Sequence, residues 1–200
     1  MRLASAAALA ALIGAGVALG APGPRPAPAP GHRAGPGAAC LPLGKAYLRA
    51  RIRGARSLDL DLRGNRLRCE GGPRPGGGGI VMSFEGRLPG RGERLTLVFG
   101  IAGAREGRPG RELPTNLTVI FGKGRALFAT QGAHNCTVDR LEQERIGRRG
   151  GPTRSYRLVA RGFCIAPAND LSGRRRILVT RFDFAGRATF KGAAHAHERS

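Results

Sequence analysis

The chain has 200 residues, with 34 Lys or Arg against 13 Asp or Glu, a formal net charge of +21, four cysteines and no Trp. A surplus of this sign and size predicts attraction to polyanions such as envelope phosphates, acidic polysaccharide or extracellular nucleic acid. With only Tyr47 and Tyr156 beside the eight Phe, no exposed aromatic platform interleaved with basic residues is legible, so specific nucleic-acid recognition is not expected. Lys occurs only at Lys45, Lys123 and Lys191; the preference for Arg accompanies a composition rich in Ala, Gly and Pro and carries less information than the sign of the charge.

Residues 1–20, MRLASAAALAALIGAGVALG, place Arg2 ahead of an uncharged Ala- and Leu-rich run that ends in small residues. This is the layout of a secretory signal peptide, with cleavage expected after Gly20. The stretch 21–39, APGPRPAPAPGHRAGPGAA, has no large apolar side chain and reads as an extended, partly polyproline II linker. Cys40 follows Gly37, Ala38 and Ala39 and superficially resembles a lipidation site, but the Pro-rich stretch separates it from the hydrophobic run. Later apolar stretches are strand-sized and interrupted, so no membrane span is expected in the mature chain.

From Cys40 to Lys191 the dominant period is two. In 45–53 the residues Ala46, Leu48, Ala50 and Ile52 alternate with Tyr47, Arg49, Arg51 and Arg53; in 57–63 Leu58, Leu60 and Leu62 alternate with Asp59 and Asp61. These two runs predict a hairpin with a turn at 54–58, Arg53 facing Asp59 and Arg51 facing Asp61, Ile52 meeting Leu60 and Ala50 meeting Leu62. Further strands are expected at 66–69, 80–85, 94–101, 116–121, 125–130, 136–141, 154–164 and 177–191, the last bent at Gly186. The clearest hairpin closes through Gly122, Lys123 and Gly124. Residues 138–146 are the one helical candidate, short and weakly patterned. Gly-, Pro- and Arg-rich connectors fill 71–79, 103–113, 147–153 and 166–176, and 192–200 reads as a loose tail.

Short strands, frequent turns and no βαβ rhythm predict an all-β domain over 40–191, an antiparallel β-sandwich or barrel of roughly 8–10 short strands. All eight Phe fall in strand candidates, and Phe182 shares a face with Phe184, as core residues do. The four cysteines in an exported chain read as two disulfides; without a CxxC pair they do not read as a metal site. Sequential pairing, Cys40 with Cys69 and Cys136 with Cys164, closes two loops of modest length, each expected to contribute about 3 to 4 kcal/mol.

For anion binding, the stripe Arg49, Arg51 and Arg53 is expected to face Asp59 and Asp61 and form a paired solvent face. Arg148, Arg149, Arg174, Arg175 and Arg176 lie in Gly-containing connectors with Asp170 as the one nearby acid, and are the candidate anion-binding residues. GGPRPGGGG lacks the setting of a phosphate loop and reads as a connector. His195, His197 and Glu198 could chelate a metal, but no metal or cofactor is expected. His134 beside Cys136, and the carboxylates Asp139, Glu142 and Glu144, are the catalytic candidates; a disulfide and salt bridges to Arg140 and Arg145 account for them more simply. Asn116 and Asn135 each open an N-x-T acceptor pattern. The expectation is an exported, secreted or periplasmic, non-catalytic binding or structural module that contacts an anionic envelope or extracellular polymer through basic loops. The alternatives are an inhibitor or accessory protein for an exported partner, presenting 147–153 or 166–176, and an enzyme whose site is invisible in one sequence.

Overall fold

The structure, a computed structural model, describes residues 40–192 apart from 91, 123–125 and 149. The expected signal peptide, linker and residues 193–200 of the tail lie outside the described residues. Among those described, eleven strands follow in chain order: β1 (Tyr47–Gly54), β2 (Leu58–Arg63), β3 (Leu67–Pro73), β4 (Gly79–Arg87), β5 (Arg94–Ala102) and β6 (Gly110–Phe121), then β7 (Ala126–Ala129), β8 (Cys136–Ile146), β9 (Thr153–Cys164), β10 (Ala168–Asp170) and β11 (Arg176–Lys191). The described residues form no α-helix, and single 3-10 turns occupy Pro42–Gly44 and Gly64–Arg66. No helix among them is long and apolar enough to cross a membrane.

Every pairing is antiparallel. β6 carries β7 opposite its C-terminal half and β8 opposite its N-terminal half, so β7 and β8 act as one interrupted strand. β9 and β10 do the same along one edge of β11. The chain from β3 to β11 is thus an up-and-down meander, with β1 and β2 added on the other edge of β11. The Arg187 N–H donates to Cys69 Sγ (3.3 Å), which brings β3, the far edge of the sheet, against the second half of β11. The sheet therefore curls back on itself and encloses one apolar core. A meander alternates its connections between two ends, which puts β1–β2, β4–β5 and β10–β11 at one end and β3–β4, β5–β6 and β8–β9 at the other.

Alternation supplies the core from one face of each strand. Phe99 on β5 touches Phe84 on β4 (6.2 Å between ring centroids) and Phe182 and Phe184 on β11 (4.9 and 4.8 Å), joining opposite walls. All four rings are fully buried, and burial of each is worth about 2 to 3 kcal/mol. Both expected disulfides are present, and Cys136 stands directly opposite Cys164 on β8 and β9. The pair removes the thiolate reading of Cys136, as the Cys40–Cys69 bond removes lipidation at Cys40.

Several details differ from the sequence expectation: eleven strands stand where 8–10 were expected, because β10 falls in the expected connector 166–176, and β6 begins within 103–113. The first hairpin is offset by two residues, with Arg51 opposite Asp59, Arg49 opposite Asp61 and Ala50 opposite Leu60, because the turn spans only 55–57. A shift of two preserves the faces, so the stripe still meets the aspartates. Residues 138–146 belong to β8, where a bulge at Asp139 breaks the alternation. β11 runs unbroken through Gly186; a Cβ there would lie 2.7 Å from Met82 Cε and 2.8 Å from Phe84 Cζ, so close approach and not a bend requires glycine. Its irregularity falls instead at Thr180, between the pairs Arg51–Arg181 and Ile52–Val179. Finally, Phe163 faces outward and is 38% exposed, because its neighbours Gly162 and Cys164 take the inward positions.

Candidate functional site

The outer face of β1, β2 and β11 is a belt in which Arg49, Arg51, Arg53 and Arg63 are paired with three aspartates, with Arg181 beside them. Arg49 reaches Asp61 (3.6 Å) and Asp183 (3.7 Å), Arg51 reaches Asp59 (3.4 Å), and Arg53 reaches Asp59 (2.8 Å). The Tyr47 hydroxyl donates to Asp183 (2.9 Å), and the Arg49 guanidinium lies 5.0 Å above the Tyr47 ring. Burial, then the bond to Asp183, push the Tyr47 phenol above its ordinary pKa. The guanidinium of Arg53 holds Asp59, and that of Arg63 holds Asp61, below the ordinary carboxylate range. These arginines are occupied and form the paired face that the hairpin predicted.

The end formed by the β3–β4, β5–β6 and β8–β9 connectors is built differently. The described residues of 74–78, 103–109 and 147–152 include Arg74, Arg105, Arg108 and Arg148 and one carboxylate, Glu106. Glu106 is already taken: Arg154 donates to it through Nε (2.5 Å) and Nη2 (2.9 Å), which lowers its pKa, with Tyr156 lowering it further. Hydrogen bonds tie the β5–β6 connector to the β3–β4 connector, and the β8–β9 connector to the end of β11. The Gly103 N–H donates to the Gly78 carbonyl (2.8 Å), the Gly192 N–H to the Pro152 carbonyl (3.3 Å), and Arg154 Nη1 to the Gly192 carbonyl (3.0 Å).

Gln143 on β8 fixes the β5–β6 connector. Its Nε2 donates to the carbonyls of Arg105 (2.8 Å) and Arg108 (2.6 Å), and its Oε1 accepts from the Gly107 N–H (3.0 Å). Gly107 adopts φ +68°, a left-handed conformation suited to glycine. The result is a held loop that presents Arg105 and Arg108 to solvent next to exposed Arg145, Arg148 and Lys191. None of these five has a carboxylate within ion-pair distance among the described residues. A rim of unpaired guanidiniums on a fixed backbone attracts anions without first breaking internal ion pairs.

The anion-binding residues expected from sequence do not come together. Arg148 lies in this rim, Arg149 falls outside the described residues, and Arg174, Arg175 and Arg176 are at the opposite end of β11. Sixteen residues of strand, at most about 50 Å of extended chain, lie between the two ends. Arg174 is exposed, Arg176 opens β11, and Arg175 is engaged by Asp170 (2.9 Å) and lies 5.9 Å from the Phe128 ring centroid. Asp170 also accepts from Ser172 Oγ and the Arg175 N–H; Arg175 first, and these bonds after it, lower its pKa to about 2. Arg105, Arg108 and Arg145 were missed by the sequence reading; the signal available was that Glu106 is the single acid beside Arg105 and Arg108 in 103–109.

The catalytic candidates are dispersed. His134 and Asp139 are exposed, Glu142 pairs with Arg140 (2.6 Å), and Glu144 lies 3.9 Å from Arg157. No cluster of three or more His, Cys, Asp or Glu capable of holding a metal occurs among the described residues, and His195, His197 and Glu198 lie outside them. No protein-family model matches the chain, and neither a curated protein nor a solved structure matches it.

Proposed function

We propose that this is an exported, non-catalytic module that binds an anionic polymer of the envelope or extracellular space through its basic rim. The observation that supports this most is the contrast in occupancy: the one carboxylate of the rim connectors is consumed by Arg154, while Arg148 stays exposed, as do Arg105 and Arg108 on a backbone held by Gln143. Two disulfides are compatible with the oxidising compartment that export implies, and the signal-peptide layout of 1–20 supplies the route. Long anionic chains suit such a rim because they meet several guanidiniums at once.

The test is the affinity of the protein for polyphosphate, a linear anion without bases or sugars, compared with Arg105→Ser/Arg108→Ser/Arg148→Ser. The triple variant is expected to bind at least tenfold more weakly at low salt and with a flatter salt dependence. Unchanged binding refutes the rim as the site.

A second reading, an inhibitor or accessory protein, draws on the β10–β11 connector. Leu171 is 88% exposed there, yet the turn is held by the Gly173 N–H to the Asp170 carbonyl (2.9 Å) and by Arg175 on Asp170. A fixed loop that presents a large apolar side chain is suited to insertion into a partner's pocket. A stoichiometric complex with an exported protein that is lost in Leu171→Ser and insensitive to salt supports this alternative.

A further inference from the structure

The ladder of the sheet is broken once on its way around the core, between β2 and β3. The 3-10 turn Gly64–Arg66 interrupts the chain there: Gly64 takes φ +65° and its N–H donates to the Ala46 carbonyl (3.1 Å), and β3 beyond it pairs only with β4. The two strand edges enclose an open cleft of about 830 Å³. Its apolar lining includes Leu62, Gly86, Leu88 and Pro89; Leu62 packs so closely on Gly86 that a Cβ there would lie 2.7 Å from Leu62 Cδ1.

The charged lining is strongly unequal. Arg63, Arg66, Arg68, Arg87 and Arg94 face two carboxylates, Asp61 and Glu85. Both acids are committed: Asp61 accepts from Arg63 Nε and Nη2 (2.7 Å each), and Glu85 pairs with Arg94 (3.0 Å). Arg66, Arg68 and Arg87 have no ion pair among the described residues, although Arg68 stands opposite Glu85, whose carboxylate is taken by Arg94. Arg87 stands directly opposite Arg94 across β4 and β5, a like-charge pair that costs stability, and its Nη1 is tied to the Gly92 carbonyl (3.2 Å). Three uncompensated guanidiniums over an apolar floor therefore converge in a concavity and not on a convex rim.

We infer that this cleft binds a phosphate group of at least two negative charges, a phosphomonoester or diphosphate borne on a body small enough to lie over Leu62 and Leu88. The charge count selects the anion: a single carboxylate leaves two of the three guanidiniums unneutralised, whereas a phosphomonoester or diphosphate offers several acceptor oxygens to arginine forks. The bearer is either a soluble phosphate ester or a lipid headgroup. The site is separate from the basic rim, and shares no residue with it.

Titration calorimetry of the full disulfide-bonded chain with inorganic pyrophosphate, with phosphatidylcholine vesicles and with vesicles doped with phosphatidic acid tests this inference. Saturable pyrophosphate binding is expected, weakened more than tenfold in Arg66→Gln/Arg68→Gln/Arg87→Gln and less than twofold in the rim triple variant. Binding of the doped but not the plain vesicles assigns a lipid source, and pyrophosphate binding without vesicle binding assigns a soluble one. Absence of saturable binding to both pyrophosphate and doped vesicles, or equal weakening in the cleft and rim variants, overturns the inference. Loss of polyphosphate binding in the rim variant with pyrophosphate binding intact keeps the two sites apart.

Discussion

The belt on β1, β2 and β11 and the rim at the β3–β4, β5–β6 and β8–β9 connectors are both rich in arginine, yet they use it in opposite ways. In the belt, Arg49, Arg51 and Arg53 stand opposite or diagonal to Asp59, Asp61 and Asp183, and the charges close on one another. In the rim, the single connector carboxylate is claimed by Arg154 and the exposed guanidiniums point into water. The net charge of +21 is therefore not a uniform coat: it is offset where Asp59, Asp61 and Asp183 stand opposite the belt arginines and left open at the rim connectors.

The largest change should come from making the belt resemble the rim. Asp59→Asn/Asp61→Asn/Asp183→Asn frees the belt arginines without altering shape, and polyphosphate affinity at low salt should rise by about an order of magnitude. If affinity stays level, unpaired arginine alone does not create a site and the geometry of the rim matters more. Asp183→Asn by itself removes the carboxylate that Tyr47 and Arg49 share, and chemical denaturation should show a loss of about 1 to 2 kcal/mol. Arg148→Ser, by contrast, should alter stability by no more than about 0.5 kcal/mol, because its exposed side chain forms no ion pair among the described residues.

The smallest effect is in acid. Asp59 and Asp61 titrate lower in the folded chain than in the unfolded one, so their stabilisation is complete above the unfolded carboxylate value of about 3.9 and is lost as pH falls through the lower folded values. Denaturant midpoints measured from pH 5 downward should decline less steeply in Asp59→Asn/Asp61→Asn than in the wild-type chain. An identical decline would show that the belt pairs contribute nothing measurable.

Much of the architecture is legible in the residues, and each departure has a local cause. Period-two runs place the strands, and the sequential pairing expected from loop length is the one the disulfides adopt. β8 resembles a helix because the bulge at Asp139 puts Val138 and Leu141 three apart on the buried face, a spacing that also suits a helical turn. Phe163 reads as core by residue type, whereas its parity with Arg161 and against Leu158 and Ala160 places it outward. Arg148 and Arg174 cannot share a surface, because one full strand traverse separates their connectors in a meander. The rim requires three connectors distant in sequence to meet, and the cleft depends on a pairing that β2 and β3 do not make; neither is written in a single segment.

Arginine footprinting with phenylglyoxal, read residue by residue by mass spectrometry with and without polyphosphate, tests the division of charge most directly. Protection of Arg105, Arg108 and Arg148, with Arg49, Arg51 and Arg53 unchanged, is the predicted result. Equal protection of belt and rim, or protection of the belt alone, would contradict it.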